Sequence, residues 1–69
     1  MILVFKTSVK SQSQIKKLKP HIDKILPTEK WNFDLEDCDK ILRVDCEENI
    51  VLTVIDLLNI HCYSCEELI

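Results

Sequence analysis

The apolar residues of this chain recur with a period that changes from element to element, and that succession limits the fold more than any other feature. Ile2, Leu3, Val4 and Phe5 form a nearly continuous run ending at Lys6-Thr7, which suits a central strand covered on at least one face. From Ile15 the spacing becomes helical. Ile15, Leu18, Ile22, Ile25 and Leu26 share one side, while Lys16, Lys17, Lys19, Asp23 and Lys24 fall mostly on the other. Ser11 is a good N-cap for this helix. Gln14, three residues on, is placed to return a hydrogen bond to the cap backbone, so Ser11-x-x-Gln14 reads as a capping box. Pro20 removes one backbone bond inside the helix and predicts a kink or a local loosening, and Pro27-Thr28 ends the element.

Beyond this helix the period drops to two. Over Lys30 to Leu35, Trp31, Phe33 and Leu35 face one way and Lys30, Asn32 and Asp34 the other, as in a half-exposed strand. A turn at Glu36 to Asp39 leads to a strand at Ile41 to Val44, with Leu42 and Val44 inward, and the two form an antiparallel hairpin. Asp45 reads as the cap of a second helix from about Cys46 to Asn59, with Glu47 and Glu48 at its positive end. Its apolar arc holds Ile50, Val51, Val54, Ile55, Leu57 and Leu58, and leaves Leu52 and Ile60 on the polar side. Tyr63 to Leu68 completes the chain as a short fourth strand. The predicted class is α+β: a ferredoxin-like βαββαβ arrangement, a four-stranded antiparallel sheet with two helices on one face. Residues 1–69 form one such domain, and a chain this short buries only about 60% of its unfolded surface.

A composition 46% hydrophobic and 30% charged, with no glycine and two prolines, is that of an ordered globular chain. The apolar start, Met1 to Phe5, is shorter than a signal-peptide core, and no stretch approaches the roughly 20 residues that cross a bilayer. The expectation is a cytoplasmic protein, off the membrane, with Cys38, Cys46, Cys62 and Cys65 reduced. Its net charge of -3 is unevenly spread. Residues 1 to 30 set seven lysines against Asp23 and Glu29, a local +5, whereas residues 31 to 69 set Lys40 and Arg43 against ten carboxylates, a local -8. Such a distribution steers an oppositely charged partner or lets two copies meet head to tail. Nucleic acid is not the expected partner, because one lysine-rich helix in an acidic chain lacks a basic stripe and exposed aromatics. No Ser/His/Asp set, glycine-rich phosphate loop or paired catalytic carboxylates can be read, so neither an enzyme nor a cofactor is expected.

Two stretches bear on metal chemistry. One is the join Thr7 to Ile15, where strand runs into helix. The other is Cys62-Tyr63-Ser64-Cys65, preceded by His61, which has the spacing of a metal or redox pair. That pair follows a helix C-terminus, where the dipole opposes a thiolate, and on a strand positions 62 and 65 point to opposite faces. They converge only if Cys62 lies in a loop; otherwise they are structural thiols. His21 and His61 read as isolated histidines, each set at a helix end or in solvent. Cys38 falls in the hairpin turn and Cys46 in the first turn of the second helix, neither with an evident partner.

The chain resembles the heavy-metal-associated domain family, the small copper chaperones and the metal-binding modules of metal-transporting ATPases, over essentially all 69 residues. Members carry Met-x-Cys-x-x-Cys at the first strand-to-helix join and Gly-Tyr or Gly-Phe after the second helix. Here Val9 falls at the Met, Ser11 and Gln14 at the two Cys, and Cys62-Tyr63 at the Gly-Tyr. The resemblance implies the fold but not the copper site, since a serine hydroxyl and a glutamine amide are hard, neutral ligands where Cu(I) prefers thiolate and thioether. In the resembled chaperones a basic first helix docks on an acidic partner domain of the same fold. That implies a partner surface at Lys10, Lys16, Lys17, Lys19 and Lys24, directed at an acidic protein. Self-association as a homodimer is a second route, through open sheet edges and Leu52. The expectation is therefore a non-enzymatic interaction module with a degenerate metal site. The alternative is a copper or zinc carrier using Cys62, Cys65 and His61.

Overall fold

The apolar run at the start of the chain forms the strand on which the sheet is built. In the computed structural model, which describes residues 1–26 and 30–68, the order is β1 (Ile2–Thr7), α1 (Gln12–Ile22), β2 (Trp31–Asp34), β3 (Ile41–Asp45), α2 (Val51–Ile60) and β4 (Cys65–Leu68). The succession of elements matches the one expected. The strands lie in the order β2-β3-β1-β4, and every neighbouring pair is antiparallel. The architecture is a small α+β domain with one four-stranded antiparallel sheet and two helices.

Register sets the core. Leu3 lies opposite Val44 and Phe5 opposite Leu42, while Trp31 and Phe33 oppose the same two β3 residues from the other side. Directly opposed residues share a face, so these six side chains form one apolar layer. Leu18, Ile22 and Leu26 from the first half of the chain, and Val54 and Leu58 from α2, pack on it. Burying each Leu, Val or Phe of this layer contributes about 1.5–3 kcal/mol. The opposite face carries exposed Ile2, Lys6 and Arg43. Ion pairs Lys6–Asp39 at 3.7 Å, and Arg43–Asp34 and Lys30–Asp45 at 3.8 Å, are exposed and add little to stability.

Three element boundaries differ from the sequence reading by more than one residue. Helix α1 closes at Ile22 rather than Leu26, two residues after Pro20, which leaves the Lys16 carbonyl without its helical donor. The N–H groups of Ile25 and Leu26 both donate to the Ile22 carbonyl at 3.0 Å. This tight turn carries Leu26 into the core and leaves Ile25, expected on the apolar side, 39% exposed. Pro27 and Thr28 lie outside the described residues.

Helix α2 begins at Val51, five residues later than expected, because Asp45 is held in β3 opposite Ile2. The Met1 ammonium donates to the Cys46 carbonyl at 2.7 Å, and the Cys46 N–H donates to the Met1 carbonyl at 3.0 Å. These bonds extend the ladder by one pair and keep Asp45 and Cys46 out of any helical turn. The N-cap position falls to Ile50, whose side chain cannot cap, and Asn49 Oδ1, one residue earlier, accepts the Val51 N–H at 3.1 Å. The expected apolar arc of α2 is present: Val54 and Leu58 are buried, whereas Leu52 and Ile60 are 76% and 75% exposed.

The end of α2 explains why β4 begins at Cys65 rather than Tyr63. The Tyr63 N–H donates to the Leu58 carbonyl at 2.9 Å and the Cys62 N–H to the Asn59 carbonyl at 3.0 Å, with Cys62 at a φ of 69°. This is a Schellman closure, and its left-handed residue is the position where glycine is favoured. In a chain without glycine a cysteine bears that conformation. Cys62→Gly should therefore stabilise the domain by roughly 0.5–1 kcal/mol, the relief of left-handed strain less the backbone entropy of glycine. Urea midpoints of the two proteins check this, and a lower midpoint for the glycine variant would mean that the Cys62 side chain makes a stabilising contact.

Candidate functional site

The join between β1 and α1 is tied to three other parts of the chain. Thr7 is buried, and its N–H is shared between the Asp39 and Lys40 carbonyls, each at 3.2 Å. Its Oγ1 donates to the Lys40 carbonyl at 2.7 Å and accepts the Val9 N–H at 3.3 Å. Ser8 pairs reciprocally with Ser64: its N–H donates to the Ser64 carbonyl at 3.2 Å, and its Oγ accepts the Ser64 N–H at 2.9 Å. Val9 is fully buried in the core cluster.

Ser11 and Gln14 both serve the helix start. Ser11 Oγ accepts the Gln14 N–H at 3.3 Å, as a capping side chain does. Gln14 Oε1 accepts the Lys10 N–H at 2.6 Å, one residue ahead of the cap residue expected to receive it. The half-buried pair thus satisfies two backbone donors at the end of the helix where they would otherwise lack partners. Neither side chain supplies a charge or a sulfur, so nothing at this join suits a soft metal ion.

All five lysines singled out from the sequence are exposed. Lys19 is engaged with Asp23 at 2.7 Å, and Asp23 Oδ1 in turn accepts the Trp31 indole N–H at 3.1 Å. Among the described residues, Lys10, Lys16, Lys17 and Lys24 take part in no salt bridge. Their charge is uncompensated at close range.

The cysteines are all free thiols. Cys62 is exposed in the turn after α2, and Cys65 is half-buried against the core, opposite Thr7 in the sheet. Burial pushes the Cys65 thiol from 9.0 up to about 11, which keeps it protonated and makes it a poor thiolate donor. The compact set of three ligand-type side chains among the described residues lies elsewhere, at Asp37, Cys38 and Asp39, with ligand atoms within 4.8 Å of one another. Two of its carboxylates already have work: Asp37 Oδ1 accepts the Asp39 N–H at 2.8 Å, and Asp39 pairs with Lys6.

The histidines correct the sequence reading. His21, in the last turn of α1, and His61, the C-cap of α2, are not isolated: their ring centroids are 4.2 Å apart with the planes inclined at 39°. They stand at one open groove of about 430 Å³, which Lys24, Ile25, Asp56 and Ile60 also line. No spacing in the sequence announces a pair separated by forty positions; only the packing of α1 beside α2 brings it together.

No protein-family model, no curated protein and no solved structure matches this chain, so the site is read from its own geometry. No helix among the described residues is long and apolar enough to cross a membrane.

Proposed function

We propose that this chain is a ferredoxin-like domain of the heavy-metal-associated type that has given up metal transfer at the strand-to-helix join and acts as a non-enzymatic, cytoplasmic docking module. The observation that carries the reading is the use of Ser11 and Gln14, at the two metal-motif positions, as backbone caps for α1. Two further features support it. Read from the β4 edge, the strand order β4-β1-β3-β2 suits two interleaved βαβ units. Cys62, which falls at the family's glycine, holds a left-handed φ.

The docking surface is the exposed set Lys16, Lys17 and Lys19 on the first helix, with Lys10 just ahead of it and Lys24 just past its end, and the partner is an acidic protein. Each exposed ion pair formed across such an interface contributes only about 0.2–1 kcal/mol, but together they steer association and fix orientation. Such binding weakens as salt shortens the reach of the charges.

Lys16, Lys17 and Lys24 are the residues to reverse, since Lys19 is already committed to Asp23. The test is low-salt affinity capture followed by titration of the purified partner against the chain and its Lys16→Glu, Lys17→Glu, Lys24→Glu variant. The expected result is at least a tenfold loss of affinity in the variant and a comparable loss on raising the salt. A partner bound equally by both proteins, or no partner at low salt, would sink the proposal.

A further inference from the structure

We propose that the outer side of the two helices is where a second copy of this chain docks, in a twofold-symmetric dimer whose axis runs along the groove between α1 and α2. This contact is separate from docking on an acidic protein. Ile25, Asp56 and Ile60 have no part there, although both contacts use the basic side of α1.

The inner sides of the helices pack on the sheet, but their outer side is not an ordinary polar surface. Among the described residues the large exposed hydrophobics are Met1, Ile2, Ile25, Leu52 and Ile60, and the last three belong to the helical layer. On α2, Leu52, Asp56 and Ile60 follow one another at intervals of four, which sets them in one stripe. Ile25 and Lys24, in the turn after α1, stand across the groove from Asp56 and Ile60. Exposed apolar residues grouped in this way mark a contact surface, whereas scattered ones do not.

Charge identifies the occupant. Lys24 and Asp56 line opposite walls of the groove, and neither takes part in a salt bridge. In a twofold contact every residue pair occurs twice with the roles exchanged. Rotation about an axis along the groove lays the α1 wall of one copy over the α2 wall of the other at the same height. Lys24 then meets Asp56 of the second copy, Asp56 meets its Lys24, and Ile25 and Ile60 meet in the same reciprocal way. The rotation also sets Lys16 and Lys17 over α2, which contains no Lys or Arg. An arrangement with α1 on α1 would instead oppose these lysines to their own counterparts, and like charges so placed work against association.

The face is small. Helices of 11 and 10 residues are about 15–17 Å long, and two of them side by side fall short of the about 800 Å² per partner of a standard interface. The dimer is accordingly weak, with a Kd of roughly 10–500 µM.

The experiment is sedimentation equilibrium of the full chain from about 10 µM to about 1 mM, in reductant so that exposed Cys38 and Cys62 cannot cross-link copies. The expected result is a monomer–dimer equilibrium that Ile60→Ser, Lys24→Glu and Asp56→Lys each weaken at least fivefold, with far-ultraviolet circular dichroism confirming the fold. Mixing the Lys24→Glu and Asp56→Lys proteins should restore association to within threefold of the unaltered chain, because each supplies the charge that the other then needs. A mixture no more associated than its components would overturn the proposal. So would a dimer that all three substitutions leave within twofold, which would place the contact on the sheet. A chain monomeric throughout this range would overturn it too, while leaving docking on an acidic protein to its own titration.

Discussion

Phe5→Ala is expected to remove most of the stability of this domain. Phe5 is fully buried on the central strand, opposite Leu42 on one side and Glu67 on the other, so alanine there opens a cavity between the sheet and the helices. Truncations of this kind cost about 3–5 kcal/mol. At the usual 0.05–0.15 kcal/mol per residue, a chain of this length holds only roughly 3.5–10 kcal/mol in total. Urea unfolding followed by circular dichroism should show a broad, early transition or none. Trp31 gives a second signal, since its half-buried ring packs edge-on to Phe33 at 5.9 Å. A loss below about 1.5 kcal/mol would mean that the core does not close around Phe5.

The second large effect is expected at Thr7, where one hydroxyl joins the start of α1 to the β2–β3 hairpin. Thr7→Val preserves shape but deprives the Val9 N–H of its acceptor and leaves the Lys40 carbonyl with the Thr7 N–H alone. An unsatisfied buried donor costs about 1–3 kcal/mol. Thr7→Ser separates the causes, since it keeps the hydroxyl and loses the methyl. A valine variant as stable as the wild type beside a clearly destabilised serine variant, both read from urea midpoints, would show that methyl packing, not the hydrogen-bonded hub, is what matters at this position.

Much of the fold was legible because the apolar periods were clean. Trp31, Phe33 and Leu35 pack against the core as their alternation implies, and the arc on α2 separates Val54 and Leu58 from Leu52 and Ile60. Misplaced boundaries mark where a local signal lost to a distant one. Asp45 has the chemistry of a helix cap, but the Met1–Cys46 bonds hold that segment in the sheet, and no local pattern reveals a partner at the other end of the chain. Ile25 continues a helical spacing that the backbone abandons at Ile22.

The site was legible in one part only. Ser11 and Gln14 were readable as a cap, because capping depends on residues three apart. The meeting of His21 with His61 was not, because it depends on how two helices lie side by side. Cys62 held a further surprise: a backbone conformation normally given to glycine is invisible in a sequence that has none.

The placement of β1 between β3 and β4 governs how the molecule is assembled during synthesis. The first strand made gains β3 on one side once the hairpin emerges, but its other side waits for Cys65–Leu68. A nascent chain that has not yet released those residues presents its most apolar strand as a bare edge, the kind of surface that recruits chaperones or other nascent chains. The pairing of β1 with β4 joins residues as far apart as Val4 and Leu68, the kind of long-range contact that slows folding.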